Sequence, residues 1–235
     1  GLQALSSSEC FCNLINLSLS NNNLDDEALF FLSKCSALSR LKNMSLSSNE
    51  ISALGAKVLS LAEGMSNLEQ LDFSYNRLGP IGIKSLVDSK LGRQLNDINL
   101  RDTGVGDEGL KFLMQLPPLE KIVRIDLSDN GLTHKGMDFL GRSEVFPNLK
   151  VLILNNNYLG DDGIYAMTES SMFKNLETLI MHNNGLTTDS AISLSTSKSI
   201  TRLRMLDLNN NDIRAEGVEA LVGSANMKGM ETLDL

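Results

Sequence analysis

The side chains that could do chemistry here are few and scattered. There are two histidines, His134 and His182, and three cysteines, Cys10, Cys12 and Cys35. A nucleophilic site needs serine or cysteine, histidine and an orienting acid held together, and no spacing in this chain assembles such a set. No glycine-rich loop that would cradle a phosphate follows a strand signal. The stretches "GDEG" (106–109) and "GDDG" (160–163) resemble metal loops, but they read better as helix starts, where acidic side chains complement the helix dipole. Cys10-x-Cys12 has no further cysteine or histidine nearby to complete a metal site. The sequence therefore predicts no catalytic residues, no metal and no cofactor.

What it does contain is a period. Asn22, Asn49, Asn76, Asn130, Asn157, Asn184 and Asn211 are separated by multiples of 27, and Thr103 fills the one missing slot. The frame around them repeats as "LINLSLSNNNL", "LEQLDFSYNRL" and "LKVLILNNNYL". Its starts fall at residues 14, 41, 68, 95, 122, 149, 176 and 203, with a truncated ninth at 230 and a partial unit over 1–13. Six residues past the asparagine slot stands glycine (Gly55, Gly82, Gly109, Gly136, Gly163, Gly217), with Ala28 and Ser190 as exceptions. Such a period must be read before any single residue, because it dictates architecture.

Each unit reads as strand, turn, helix. Leu71 and Phe73 alternate with Asp72 and Ser74, the period of a half-buried strand. Three residues past the asparagine slot, Asp25, Ser52, Gly79, Gly106, Thr133, Gly160 and Thr187 are expected N-caps, with Arg214 the exception. No unit can bury its apolar face alone, but stacked neighbours can. Strands pair at about 4.8 Å while helices pack at roughly 8–10 Å, so the stack is expected to curve with strands inside. The expectation is an α/β solenoid, a right-handed horseshoe with a parallel sheet on its concave face and helices outside. The asparagines are expected to turn inward and satisfy backbone groups of the turn and of the stacked neighbours, forming a structural ladder.

The 27-residue unit with a true helix, and the continuation seen in "NRLGPIGIKSL" and "NDIRAEGVEAL", resembles the leucine-rich-repeat proteins of the ribonuclease-inhibitor-like subfamily, over essentially all 235 residues. That resemblance implies a non-enzymatic scaffold that grips a protein partner on its concave face. It also suggests two alternatives. One is a GTPase-activating regulator, for which Arg101 or Arg124 would be the residues to suspect. The other is the sensing segment of an immune receptor or a pathogen effector acting in host cytoplasm. Unlike the inhibitor, this chain has a single unit length and few cysteines.

The frame assigns the outward strand positions. Units six to eight present Val151, Ile153, Thr178, Ile180, His182, Met205 and Asp207, where an exposed apolar patch formed by Val151, Ile153, Ile180 and Met205 is expected to meet a partner. Units three to five present Asp72, Asn99, Arg101, Arg124 and Asp126, a band of mixed charge that would orient it. A net charge of −8 disfavours nucleic acid and anionic membranes as partners. No apolar run approaches the roughly 18 residues of a membrane span. The odd cysteine count, and the sequons at Asn16 and Asn43 within strands, point to a reducing, cytoplasmic setting. The chain opens in mid-unit at Gly1 and closes within a strand at Leu235, which leads us to expect an excerpt of a longer repeat protein, read here as one domain over 1–235.

Overall fold

A computed structural model describes residues 11–235 together with Leu2 and Ala4. Cys10 lies outside the described residues, while Cys12 is exposed and Cys35 buried. The chain forms two compact segments, Gly1–Val105 and Gly106–Leu235.

The N-terminal segment contains β1 (Asn16–Ser18), α1 (Asp26–Ser33), β2 (Asn43–Ser45), α2 (Ala53–Ser60), β3 (Gln70–Asp72), α3 (Gly79–Val87) and β4 (Asp97–Asn99). Its strands pair in parallel and in sequence order, Asn16 with Asn43, Asn43 with Gln70 and Gln70 with Asp97. The C-terminal segment contains α4 (Gly106–Leu113), β5 (Arg124–Asp126), α5 (His134–Gly141), β6 (Val151–Ile153), α6 (Gly160–Thr168), β7 (Thr178–Ile180), α7 (Thr188–Thr196), β8 (Met205–Asp207), α8 (Ala215–Gly223) and β9 (Thr232–Asp234). There Arg124, Val151, Thr178, Met205 and Thr232 are successive partners. Every pairing joins residues 27 apart, so the sequence period is the strand register. Each segment is the expected α/β stack of parallel strands with a helix in each repeat.

The inward leucines form the core. Leu68, Leu71, Phe73 and Leu78 of one repeat, and Leu149, Leu152, Leu154 and Leu159 of another, are essentially inaccessible. Full burial of one such side chain is worth roughly 1.5–3 kcal/mol, and each repeat contributes its row only because a neighbour covers it.

The asparagine row lies behind the strands and bonds across repeats. Asn157 Nδ2 donates to the carbonyls of Leu154 (2.9 Å) and Asn155 (3.3 Å) in its own repeat and of Leu127 (3.1 Å) in the preceding one. Its Oδ1 accepts from the amides of Asn130 (3.1 Å) and Leu132 (2.9 Å). Asn49 and Asn211 repeat this arrangement. Asn76 donates likewise and accepts from Ile51 N. Asn22 and Asn130 donate to the carbonyls of Ser20 and Ser128. Thr103, with one hydroxyl, donates to Leu100 O at 2.7 Å. Asn184 keeps its donor bonds to Leu154 O and His182 O.

The residue before each ladder position is left-handed: Asn21, Ser48, Tyr75, Asp102, Asp129, Asn156, Asn183 and Asn210 all have φ between 50° and 58°. This second row, also of period 27, turns the chain out of the strand. Asparagine and aspartate tolerate that conformation better than other non-glycine residues, which accounts for their abundance at the slot.

Apart from α8, whose Arg214 makes no side-chain cap bond, the helix starts come in two chemistries. Asp25, Ser52, Thr133 and Thr187 cap as expected, accepting from Ala28, Leu54, Lys135 and Asp189 amides. Gly79, Gly106 and Gly160 do not. They stand at the first position of their helices with φ of +60°, +56° and +58°. Having no side chain to cap with, they use a backbone geometry that only glycine adopts freely. The amides of Gly79 and Gly160 reach the next repeat directly, at Thr103 O (2.9 Å) and Asn184 O (3.1 Å).

Carboxylates fasten some neighbouring helices. Asp26 accepts from Ser52 N (2.8 Å), Ser52 Oγ (2.6 Å) and Gly55 N (2.9 Å). Asp107 accepts from Thr133 N and Oγ1, and Asp161 from Thr187 N and Oγ1. The repeated glycine makes room for this clamp: a Cβ on Gly55 or Gly136 would stand 2.4 Å from the Oδ1 of Asp26 or Asp107. Ser190 breaks the glycine row because its hydroxyl donates to Asp161 Oδ1. Burial pushes the Asp161 carboxyl up, but the hydrogen bonds from Ser190 and Thr187 outweigh it and hold the group below its ordinary value of 3.8.

Candidate partner-binding face

Three-residue strands give each repeat two outward side chains on the strand itself and a third just beyond it. In the C-terminal segment the middle row runs Asp126, Ile153, Ile180, Asp207 and Asp234, each the register partner of the next. Ile153 and Ile180 are thus direct neighbours on adjacent strands with a carboxylate on either side. The first row sets Arg124 beside Val151, Thr178 and Met205, all half-buried.

One expectation needs correction. Ile153 is not an exposed residue: it is 9 % accessible, as is Asp126. Side chains directly opposite on neighbouring strands are only about 5 Å apart, so Asp126 and Ile180 cover Ile153 from both sides. The accessible apolar surface comes instead from Val151, Ile180 and Met205, with Ile153 as its floor.

The acids of this face are held in place. Asp126 Oδ1 accepts from Ser128 N at 2.9 Å, and Asp207 Oδ1 accepts from Asn209 N and Nδ2, both at 2.9 Å. The same turn-closing bond recurs in the N-terminal segment, from Ser74 N to Asp72 (2.9 Å) and from Arg101 N to Asn99 (3.0 Å). The residues read as a charged band therefore also terminate their own strands, and neither Asp72 nor Asn99 is a side chain waiting solely for a partner. Asp72 additionally ends a relay of hydroxyls, Ser20 to Ser45 (2.8 Å) and Ser45 to Asp72 (2.9 Å). Arg101 packs its guanidinium 5.6 Å from the Tyr75 ring centroid. The band's members fall in both segments: Asp72, Asn99 and Arg101 in the first, Arg124 and Asp126 in the second.

His182 lies two residues past β7. Its amide donates to Asn155 Oδ1 (2.8 Å), and its Nε2 is 3.4 Å from Asn210 Nδ2. His134 begins α5. Among the described residues no group of three histidines, cysteines or carboxylates is placed to hold a metal ion, and no helix is long and apolar enough to cross a membrane.

The repeat profile described as Leucine Rich repeat matches residues 64–87, 94–114, 147–167 and 201–222. No curated protein sequence matches the chain. Among solved structures, an internalin (inlF) from Listeria monocytogenes is similar over 100 % of this chain and 70 % of its own, at 18 % identity and a TM-score of 0.57. An internalin C2 from the same organism is similar over 94 % of this chain and 80 % of its own, at 19 % identity and a TM-score of 0.58. Those likenesses concern the fold. With the repeat matched in four places and the parallel strand–helix register running at 27 residues, the chain carries leucine-rich repeats.

Proposed function

We propose that this protein is a non-catalytic interaction scaffold whose strand face in the C-terminal segment holds a protein partner. The observation that carries the reading is the pairing of Ile153 with Ile180, with Val151 and Met205 on the adjoining row and Asp126 and Asp207 on the flanks. Apolar atoms grouped on an otherwise polar strand face favour contact over solvation, while fixed flanking acids and Arg124 would select the partner's charge. Within the leucine-rich-repeat proteins, the 27-residue repeat carrying a true helix supports the ribonuclease-inhibitor-like subfamily. The odd cysteine count, with Cys10 and Cys12 too close for an ordinary bridge, supports a reducing cytoplasmic location.

The test is affinity capture from a cell lysate by wild type and by Ile180→Asp/Met205→Asp, with circular dichroism to establish that both fold. Both positions are half-buried, so the aspartates can reach water. A protein retained by wild type and lost by the variant supports the reading. Equal capture by both would refute the placement of the site.

A further inference from the structure

We propose that the rim beside this strand face holds a second contact, for a polyproline-II segment of a partner protein, with Tyr158 as its platform. The proposal rests on the protein-scaffold reading above but uses different residues. Tyr158 is 74 % exposed, the most accessible large apolar side chain among the described residues. Its backbone is pinned: the amide donates to Leu132 O at 2.8 Å and the residue forms a parallel bridge with Thr133. The corresponding positions in the neighbouring repeats are Gly131 and Gly185, and a Cβ at either would meet no atom within 4 Å. An aromatic side chain on a fixed backbone, between two positions without side chains, offers its ring to a flat apolar group at little entropic cost.

Two residues before it in the chain begins a row of amides. Asn156, Asn183 and Asn210 share nearly one backbone conformation, with φ of 55°, 53° and 57°, so their side chains leave the chain alike. Asn183 Nδ2 donates to Asn156 Oδ1 at 3.1 Å, and Asn210 Nδ2 lies 3.4 Å from His182 Nε2. Each side-chain amide carries two N–H donors, so one such bond leaves each nitrogen capacity to donate again. Asn156 and Asn210 are two repeats apart, about 9.6 Å at the usual strand spacing. A polyproline-II helix turns once every three residues at about 3.1 Å each, roughly 9.3 Å per turn. Its carbonyls have no internal hydrogen bonds, and equivalent ones recur at a spacing that matches Asn156 and Asn210. A proline ring on the same segment supplies the flat apolar group for Tyr158, and the protein's net charge of −8 favours a segment bearing arginine or lysine.

The test is an amide-resolved NMR titration of the whole chain with a proline-rich peptide flanked by arginines. The control is the same peptide with glycine in place of proline, and linear oligosaccharides form a third arm. Expected are shifts centred on Tyr158, Asn156 and Asn210, and binding about tenfold weaker for the glycine peptide, which must pay the ordering that proline avoids. Tyr158→Ala should weaken binding about tenfold, as truncation of an aromatic anchor does, while Tyr158→Phe should retain most of it. Ile180→Asp should leave the peptide's affinity unchanged. Equal binding of the two peptides, indifference to Tyr158→Ala, or Tyr158-dependent binding of an oligosaccharide but not of the peptide would overturn the proposal. A captured partner lost by Ile180→Asp/Met205→Asp but kept by Tyr158→Ala would overturn it too, and leave the strand-face reading standing.

Discussion

Replacing Asn157 by alanine would test whether the ladder holds neighbouring repeats together. Three carbonyls and two amides meet that one side chain, which is only 3 % accessible. The losses are unequal. Leu154 O also accepts from Asn184 Nδ2, and Asn155 O from Asp129 N, so those acceptors keep a partner. The amides of Asn130 and Leu132 point at Oδ1. A buried donor left without an acceptor costs about 1–3 kcal/mol, so the two together cost about 2–6 kcal/mol, and partial relaxation places the expected loss near 3 kcal/mol. Urea unfolding followed by circular dichroism gives the change from the midpoint at constant slope. Hydrogen exchange should localise it, with the Asn130 and Leu132 amides losing protection first. Asn157→Thr, which recreates the Thr103 situation, should cost less than alanine. Asn157→Asp should cost at least as much as alanine, since a carboxylate accepts the two amides but sets a negative charge against three carbonyls. A loss under about 1 kcal/mol for alanine, or threonine as harmful as alanine, would refute the assignment of the ladder as the inter-repeat fastening.

Three further outcomes follow from the helix starts and the left-handed row. Gly136→Ala should destabilise by about 1–3 kcal/mol, the usual cost of overpacking, because its Cβ would stand 2.4 Å from Asp107 Oδ1; Gly136→Ser should cost less, its hydroxyl donating as Ser190 does to Asp161, and thermal unfolding would rank them. Asp161→Asn should lower stability at pH 7, and the deficit should shrink in acid. The folded carboxyl titrates below its unfolded value, so its contribution is whole above about pH 4 and is lost as pH falls through the folded pKa; parallel unfolding curves for wild type and variant from pH 7 down to pH 3 check the sign. Ser48→Asn should stabilise by a few tenths of a kcal/mol, because exposed Ser48 holds a φ of 56° that asparagine adopts with less strain, and a denaturant midpoint that falls would count against that reasoning.

The period made most of the scaffold legible in advance. Strand register, inward leucines, the asparagine ladder and four of the side-chain caps are local or strictly periodic, and a repeat shows such things in one dimension. What escaped lies in departures from the period. The caps expected at Gly79, Gly106 and Gly160 are left-handed first-turn residues, because N-cap statistics do not distinguish glycine as cap from glycine as bend. The left-handed row at residues 21, 48, 75 and onward shows in the sequence as an excess of Asn and Asp beside the ladder, outside the positions that the leucine frame fixes. The clamp from Asp161 to Thr187 and Ser190 joins residues 26 and 29 apart, and only the paired occurrence of an early-helix aspartate with a Ser or Thr cap one repeat later could have signalled it. Ile153 is less accessible than its place in the alternation implies for a simpler reason: alternation assigns a face, whereas accessibility depends on the size of the side chains one strand away.

The clamps also give the stack a mechanical grain. Carboxylate fastenings join α1 to α2, α4 to α5 and α6 to α7, whereas the helix starts of α2 and α3, and of α5 and α6, have no such carboxylate bond among those described. Under tension applied along the chain, those seams should part before the fastened ones. A pulling experiment on this protein would then show rupture in pairs of repeats rather than one at a time, and a partner bridging a weak seam would act as a splint, raising the force at which that seam opens.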